Sequence, residues 1–240
     1  MEKWLSEKLH RELGQFLRID RVIHRETSKL QELLIFENSK LGRVLAIDGV
    51  IQTTEADEFI YHEMLAHVPI FAHGRARRVL VIGGGDGGMI EEVLKHRTVE
   101  KVVMVEIDQR VLTLCQKYFT KLSLGAFDDP RLELIIGNGA EYVASTCYNF
   151  DVIIVDSPDP IGPGADLFSE TFYFNCRRCL GPNGVLVTQS GVPFVQMEEL
   201  RNSASRLSQH FMDVAFYRAS IPTFLWGRHG FRVGKRYPCI

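Results

Sequence analysis

Apolar and polar positions fall into two patterns along the chain. From about 16 to 54 they alternate: FLRIDRVIHRET and LQELLIFENS are short period-two runs. GRVLAIDGVIQTT places Asp48-Gly49 between apolar flanks, the signature of a two-residue hairpin turn. This predicts a small antiparallel sheet, assigned to residues 1–56. DEFIYHEMLAHVPIFAH then has helical spacing, with Phe59, Met64, Leu65 and Val68 on one face. From 77 onward the strands RRVLVIG, KVVMVEI, RLELIIG, FDVIIVD and GVLVTQS alternate with the helical segments GGMIEEVLKH, QRVLTLCQKYF, AEYVASTC and ETFYFNCRRCL. Nearly continuous apolar strands alternating with helices predict a doubly wound, mostly parallel α/β sheet of the Rossmann or class I methyltransferase kind over 57–240.

In such a sheet a ligand sits at the carboxyl ends of the strands, near the point where strand order reverses. The first strand is followed by GGGDGG, the second ends at Glu106 and the third runs into Gly137, Asn138 and Gly139. The fourth ends in Asp156-Ser157-Pro158-Asp159-Pro160, and the fifth in Gln189 and Ser190. Polar groups therefore gather at one rim.

Composition adds mainly exclusions. The 240 residues are 45% hydrophobic and 24% charged, ordinary for a soluble globular protein. A formal net charge of -2 supplies no basic field for nucleic acid. The N-terminal stretch has no apolar signal-peptide core, and no apolar run reaches membrane-spanning length, so a cytoplasmic protein is expected. The five cysteines include one CxxC, Cys176 and Cys179, without a second ligand pair; reduced thiols are the better reading than zinc.

Gly83, Gly85 and Gly88 fit G-x-G-x-x-G, and Glu106 lies at a distance suited to accepting hydrogen bonds from ribose hydroxyls. A dinucleotide and an S-adenosylmethionine-type ligand fit this pattern equally. Asp86 separates them, because a carboxylate inside the loop repels a pyrophosphate or an amino-acid carboxylate and favours a cationic tail. The plainer role for Asp86 is to cap the following helix, and the two are compatible. Asp156 and Asp159, three apart in a Pro-rich loop, invite a shared cation, either a metal ion or a polyamine; Asp159 as a simple helix cap is the plainer reading. Tyr61, His62 and Gln31 say nothing by themselves; a lone histidine on a helix is more often a packed or surface residue.

GGGDGG, VEID, DSPDPIGPGADLF and EADEFIYHEM together resemble the spermidine synthases, the polyamine aminopropyltransferases, and the bacterial enzymes most of all. The resemblance runs from about Trp4 to Phe224. It implies transfer of an aminopropyl group from decarboxylated S-adenosylmethionine to putrescine, with no metal or other cofactor, by a homodimer. It also implies residue roles. Asp156 would be the proton acceptor, and Asp86, Asp159, His62 and Tyr61 would hold the polyamine. Gln31, Glu106, Asn138, Gly139 and Pro163 would hold the donor, and the 157–168 loop would gate the site. Asn138 departs from the family's aspartate; its oxygen still accepts from an adenine amino group, without charge. Two rivals share the fold or site: a class I methyltransferase, disfavoured by Asp86 and the Asp156/Asp159 pair, and a protein that binds polyamine or methylthioadenosine without turnover. A nicotinamide oxidoreductase is disfavoured by Asp86.

The tail departs further. IPTF at 221–224 matches the family, but LWGRHGFRVGKRYPCI lacks its glycine pair and apolar strand. Back-translating 225–239 with permitted codons and reading from the second base gives YGGGMAFAWASDTLA, the missing family tail. A one-base frameshift from about Leu225 accounts for this. It predicts an irregular, poorly packed 225–240 and a sheet short of one strand.

Overall fold

The computed structural model describes residues 3–8, 12–158, 162–193, 196–224 and 229–236. A short hairpin comes first, β1 (Lys3–Glu7) against β2 (Gln15–Ile19). An antiparallel four-stranded sheet follows in chain order: β3 (Arg21–Thr27), β4 (Glu32–Asn38), β5 (Gly42–Ile47) and β6 (Val50–Thr54). Asp48 and Gly49 both take positive φ, 49° and 77°, as the two-residue turn between β5 and β6 requires. β4 and β5 are buried on both faces. Leu33, Ile35, Leu45 and Ile47 pack against Val111, Leu114, Phe119 and Leu122, while Leu34, Phe36, Val44 and Ala46 pack on Leu5, Leu17 and Ile19 of the first hairpin. β1 was not anticipated, because KWLSE carries only two apolar residues.

Helix α1 (Glu58–His73) leads into the second sheet. Its buried face is Tyr61, His62, Leu65, Ala66, Pro69 and Ile70, whereas Phe59 is 47% exposed. The predicted face was therefore out of phase: His62 reads as polar in sequence, yet it turns inward with Tyr61.

The second sheet has seven strands. β7 (Arg78–Gly83), β8 (Lys101–Glu106), β9 (Leu132–Ile136), β10 (Phe150–Asp156) and β11 (Leu180–Gln189) are parallel, and β12 (Asp213–Ala219) and β13 (His229–Lys235) are antiparallel additions. The spatial order is β12-β13-β11-β10-β7-β8-β9. Helices α2 (Gly88–Leu94), α3 (Gln109–Tyr118), α4 (Thr120–Ser123), α5 (Gly139–Ser145), α6 (Glu170–Cys179) and α7 (Met197–Ser208) cover it. Alternation along the strands feeds two cores. Val79, Val81, Val152 and Val187 face α1 and α2, while Leu80, Ile82, Ile153 and Leu186 face α6. Cys176 and Cys179 lie in that second core, as packed side chains of α6.

The chain goes from β7 outward to β8 and β9, then returns to lay β10 on the other side of β7. The reversal opens a crevice at the carboxyl ends of β7 and β10. Register pairs Gly83 with Asp156, and the Gly84 N–H donates to the Asp156 carbonyl at 3.1 Å. Gly83 has φ 85°, and a Cβ there would lie 1.9 Å from the Asp156 carbonyl oxygen. Gly49 has φ 77° but open space around it. Gly83→Ala should therefore cost about 3 kcal/mol or more, at the upper end for one substitution, and Gly49→Ala only about 1–2 kcal/mol of backbone strain. Urea denaturation of both variants checks this; equal losses would mean that the contact at Gly83 relaxes without cost.

The expectation of an irregular tail is not met. Residues 229–235 form β13 inside the sheet, paired antiparallel with both β11 and β12. Backbone pairing needs no particular side chains, and the segment supplies enough apolar surface: Phe231 is fully buried, and Val233 packs on the α1 core. Gly230 and Gly234 admit the rings of Phe216 and Phe211. Two of the basic residues reach carbonyls. Arg232 donates to the Leu200 carbonyl, and Arg236 to those of Arg177 and Leu180. His229 is the misfit: it is buried, and neither ring nitrogen has a partner among the described residues. The segments 225–228 and 237–240 lie outside the described residues. Resequencing the gene decides the origin of this tail independently of its packing.

Candidate active site

A cavity of about 160 Å³ lies at the crevice, between the four-stranded sheet and the carboxyl ends of β7, β8, β10 and β11. Gln31, Tyr61, His62, Asp86, Glu106 and Asp156 all line it, as do Gly83, Gly84 and Gly85. These residues come from distant parts of the chain, and the fold brings them to one place.

The centre is a charged cluster. Ligand-type atoms of His62, Asp86 and Asp156 lie within 4.8 Å of one another. His62 is held between carboxylates, with Nδ1 2.5 Å from Glu58 Oε2 and Nε2 3.4 Å from Asp86 Oδ2. Burial alone would lower its pKa, but Asp86 and then Glu58 outweigh burial and hold it well above the usual histidine value. Its two carboxylate neighbours thus favour the protonated ring. Asp86 is pushed up by burial and down more strongly by His62, so it stays ionised. Its Oδ1 also accepts the Gly88 N–H at 3.0 Å, so it binds the start of α2 and faces the cavity together.

Asp156 accepts a hydrogen bond from the Tyr61 hydroxyl at 2.7 Å. Burial raises its pKa to about 6; His62 and Tyr61 oppose the shift, and Asp86 adds to it. That value suits a group that takes a proton near neutral pH. With Glu58, three carboxylates surround one histidine ring, which leaves room for further positive charge. The oxygens of Asp86 and Asp156 can accept from an ammonium, and the same trio has the spacing of a metal-ligand set.

The other half of the cavity suits a nucleoside. Burial raises Glu106 to about 7, and its Oε1 accepts the Asp108 N–H at 2.9 Å. Asp108 caps α3 and receives bonds from Gln31 Nε2 at 3.1 Å and Ser28 Oγ at 2.7 Å, which ties the first sheet to this rim. Asn138 and Gly139 follow β9, beside Glu106, but do not line the cavity as described. The Asn138 oxygen caps α5, accepting from Ala140 N at 2.8 Å and Glu141 N at 3.4 Å. Asp159 and the side chain of Pro163 lie outside the described residues. Pro163 itself belongs to the 3-10 helix Gly162–Phe168. Sequence reasoning missed Glu58, whose i,i+4 spacing to His62 was a usable signal, as well as Asp108 and His229, whereas Gln189 was placed at this rim from its strand end.

The reversed doubly wound sheet, the glycine loop, an acid at the end of the next strand and two carboxylates facing one cavity are the arrangement of a nucleoside-dependent transferase. Residues 58–240 match the spermine/spermidine synthase domain, and residues 3–55 match the spermidine synthase tetramerisation domain. The chain is 57% identical over 232 residues to polyamine aminopropyltransferase 1 of Pseudomonas aeruginosa, covering 97% of this chain and 81% of that one. It is 53% identical over 239 residues to the polyamine aminopropyltransferase of Erwinia tasmaniensis, covering 100% and 84%. A spermidine synthase solved in complex with the transition-state analogue AdoDATO superposes with a TM-score of 0.94 at 43% identity, covering 98% of this chain and 80% of that one. The spermidine synthase of Thermotoga maritima gives 0.91 at 41%, covering 98% and 79%. The chain belongs to the spermidine synthase family of polyamine aminopropyltransferases.

Proposed function

We propose that this protein transfers the aminopropyl group of decarboxylated S-adenosylmethionine to putrescine, giving spermidine and methylthioadenosine. The observation that carries the reading is the His62–Asp86–Asp156 cluster, anionic overall with Glu58, facing a cavity that Glu106 and Gln31 also line. The related spermidine synthase in complex with a transition-state analogue supports it.

The chemistry follows from charge. A diamine is fully protonated at neutral pH, and an ammonium has no electron pair with which to attack. Asp156, with its raised pKa, takes one proton from the amine, directly or through water. The freed nitrogen forms a bond to the propyl carbon next to the sulfonium, and the carbon–sulfur bond breaks with its electron pair going to sulfur. The thioether leaves neutral, so no metal or cofactor is required. Asp86, Asp159, His62 and Tyr61 hold the acceptor. Gln31 and Glu106 hold the donor's sugar or tail, with Asn138, Gly139 and Pro163 at its adenine end, and the 157–168 loop closes the site. We further propose a cytoplasmic homodimer; light scattering separates that from the tetramer that a tetramerisation domain at 3–55 implies.

A product assay with decarboxylated S-adenosylmethionine and a panel of diamines tests the reading. Turnover of intact S-adenosylmethionine instead would favour a methyltransferase, and binding without turnover a non-catalytic binder. Asp86→Asn should also weaken discrimination against the carboxylated donor, because repulsion is poorly screened in a closed site. Inhibition constants for both donors in both forms give the ratio; an unchanged ratio confines Asp86 to capping and acceptor contacts.

A further inference from the structure

One side of the cavity carries a cluster of aromatic rings around a single histidine. Tyr61, Phe224 and Phe231 lie with ring centroids 5.3, 4.9 and 5.3 Å from that of His229, which also lines the cavity. His229 begins β13 and is 7% exposed. Both of its ring nitrogens are buried, and neither has a hydrogen-bond partner among the described residues. A buried polar group without a partner is costly, and its natural partner is whatever fills the adjoining space. The neighbouring rings are hydrocarbon apart from the Tyr61 hydroxyl, and that hydroxyl already donates to Asp156.

We propose that His229 is a specificity-determining residue for the acceptor, its unprotonated ring nitrogen accepting a hydrogen bond from an N–H of the amine held at Asp156. This rests on the aminopropyl-transfer reading. Burial pushes the His229 pKa down to about 3, so the ring is neutral and keeps an acceptor lone pair throughout the working range. An aliphatic amine carries several N–H donors, of which Asp156 takes one. Asp86 supplies an acceptor from the glycine loop, and His229 supplies one from the aromatic side of the same cavity. Both ring nitrogens of His62 already face carboxylates, Glu58 and Asp86. The inferred role is positioning of the amine, distinct from the proton transfer assigned to Asp156.

Steady-state kinetics with putrescine and decarboxylated S-adenosylmethionine test this on the full chain, alongside thermal melting with and without the diamine. His229→Leu should raise the KM for putrescine about tenfold, with kcat and the donor KM changed less than twofold. That is the scale of one hydrogen bond to a charged group. Its melting temperature without ligand should rise, since a partnerless imidazole is removed, while the shift induced by putrescine shrinks. His229→Asn, which keeps an acceptor, should restore part of the putrescine KM. An unchanged putrescine KM in His229→Leu overturns the inference, as does a parallel loss in kcat and both KM values, which would mark a packing defect. Failure of the wild-type protein to turn over any diamine would overturn the aminopropyl reading, and this inference with it. Normal wild-type turnover with an indifferent leucine variant overturns this inference alone.

Discussion

Asp156→Asn should reduce turnover by roughly 10²-fold or more, the usual scale for a general base, while donor binding stays near wild type. Asparagine keeps the shape and the bond from Tyr61 but cannot take a proton. The pH dependence sharpens the test. The base must be unprotonated, and Asp156 gains its proton as pH falls through about 6, so kcat/KM should fall on the acid side there. Glu106 titrates near 7 and adds its own acid limb if its ionised form is the better ribose acceptor. The asparagine variant should therefore lose the lower limb and keep the upper one. Wild-type turnover in Asp156→Asn, or an unchanged lower limb in its residual activity, would remove Asp156 from the role of base.

Truncation after Phe224 should leave a chain that no longer folds cooperatively. β13 lies between β11 and β12, so its loss exposes the edge of β11 and detaches β12 from the sheet. Two ladders go, together with the burial of Phe231 and Val233. A fully buried phenylalanine alone is worth about 1.5–3 kcal/mol, and each net ladder bond about 0.5–1.5 kcal/mol. The sum is comparable with the stability reserve of a whole domain, about 5–15 kcal/mol. Soluble yield and the urea transition provide the measurement. A cooperative transition at the full-length midpoint would show that residues 225–240 are dispensable.

Four of the parallel strands were legible because they are buried on both faces and read as nearly continuous apolar runs, and the edge strand β9, part exposed, was legible from its apolar residues alone. β12 and α7 were not read: Asp213–Ala219 is largely exposed, and Met197–Ser208 is mostly polar. β13 was misjudged for a related reason. Arginine and lysine in HGFRVGK argue against a central strand, yet Arg232 reaches the Leu200 carbonyl and its backbone pairs regardless. At the site, Glu106, Asp86 and Asp156 followed from their positions at strand ends. Tyr61 and His62 did not, because a helix gives no sign of which polar side chain turns inward; only the family resemblance singled them out. Asn138 was read as an adenine contact, and the structure shows its oxygen engaged at the start of α5, a role its place before a helix permitted.

The pairing of Gly83 with Asp156 sets what this scaffold can tolerate. The glycine loop and Asp156 are far apart in sequence, but their spacing is fixed by a strand ladder and by the bond from Gly84 N–H to the Asp156 carbonyl. Insertions or deletions in the helices and loops between β7 and β10 therefore change the outer surface and leave the reacting geometry in place. A slip of β10 by one residue against β7 has the opposite effect. It would move Asp156 to the other face of the sheet and bring Val155 or Ser157 to the crevice. Length variation is cheap between these two strands, and register is the quantity that cannot drift.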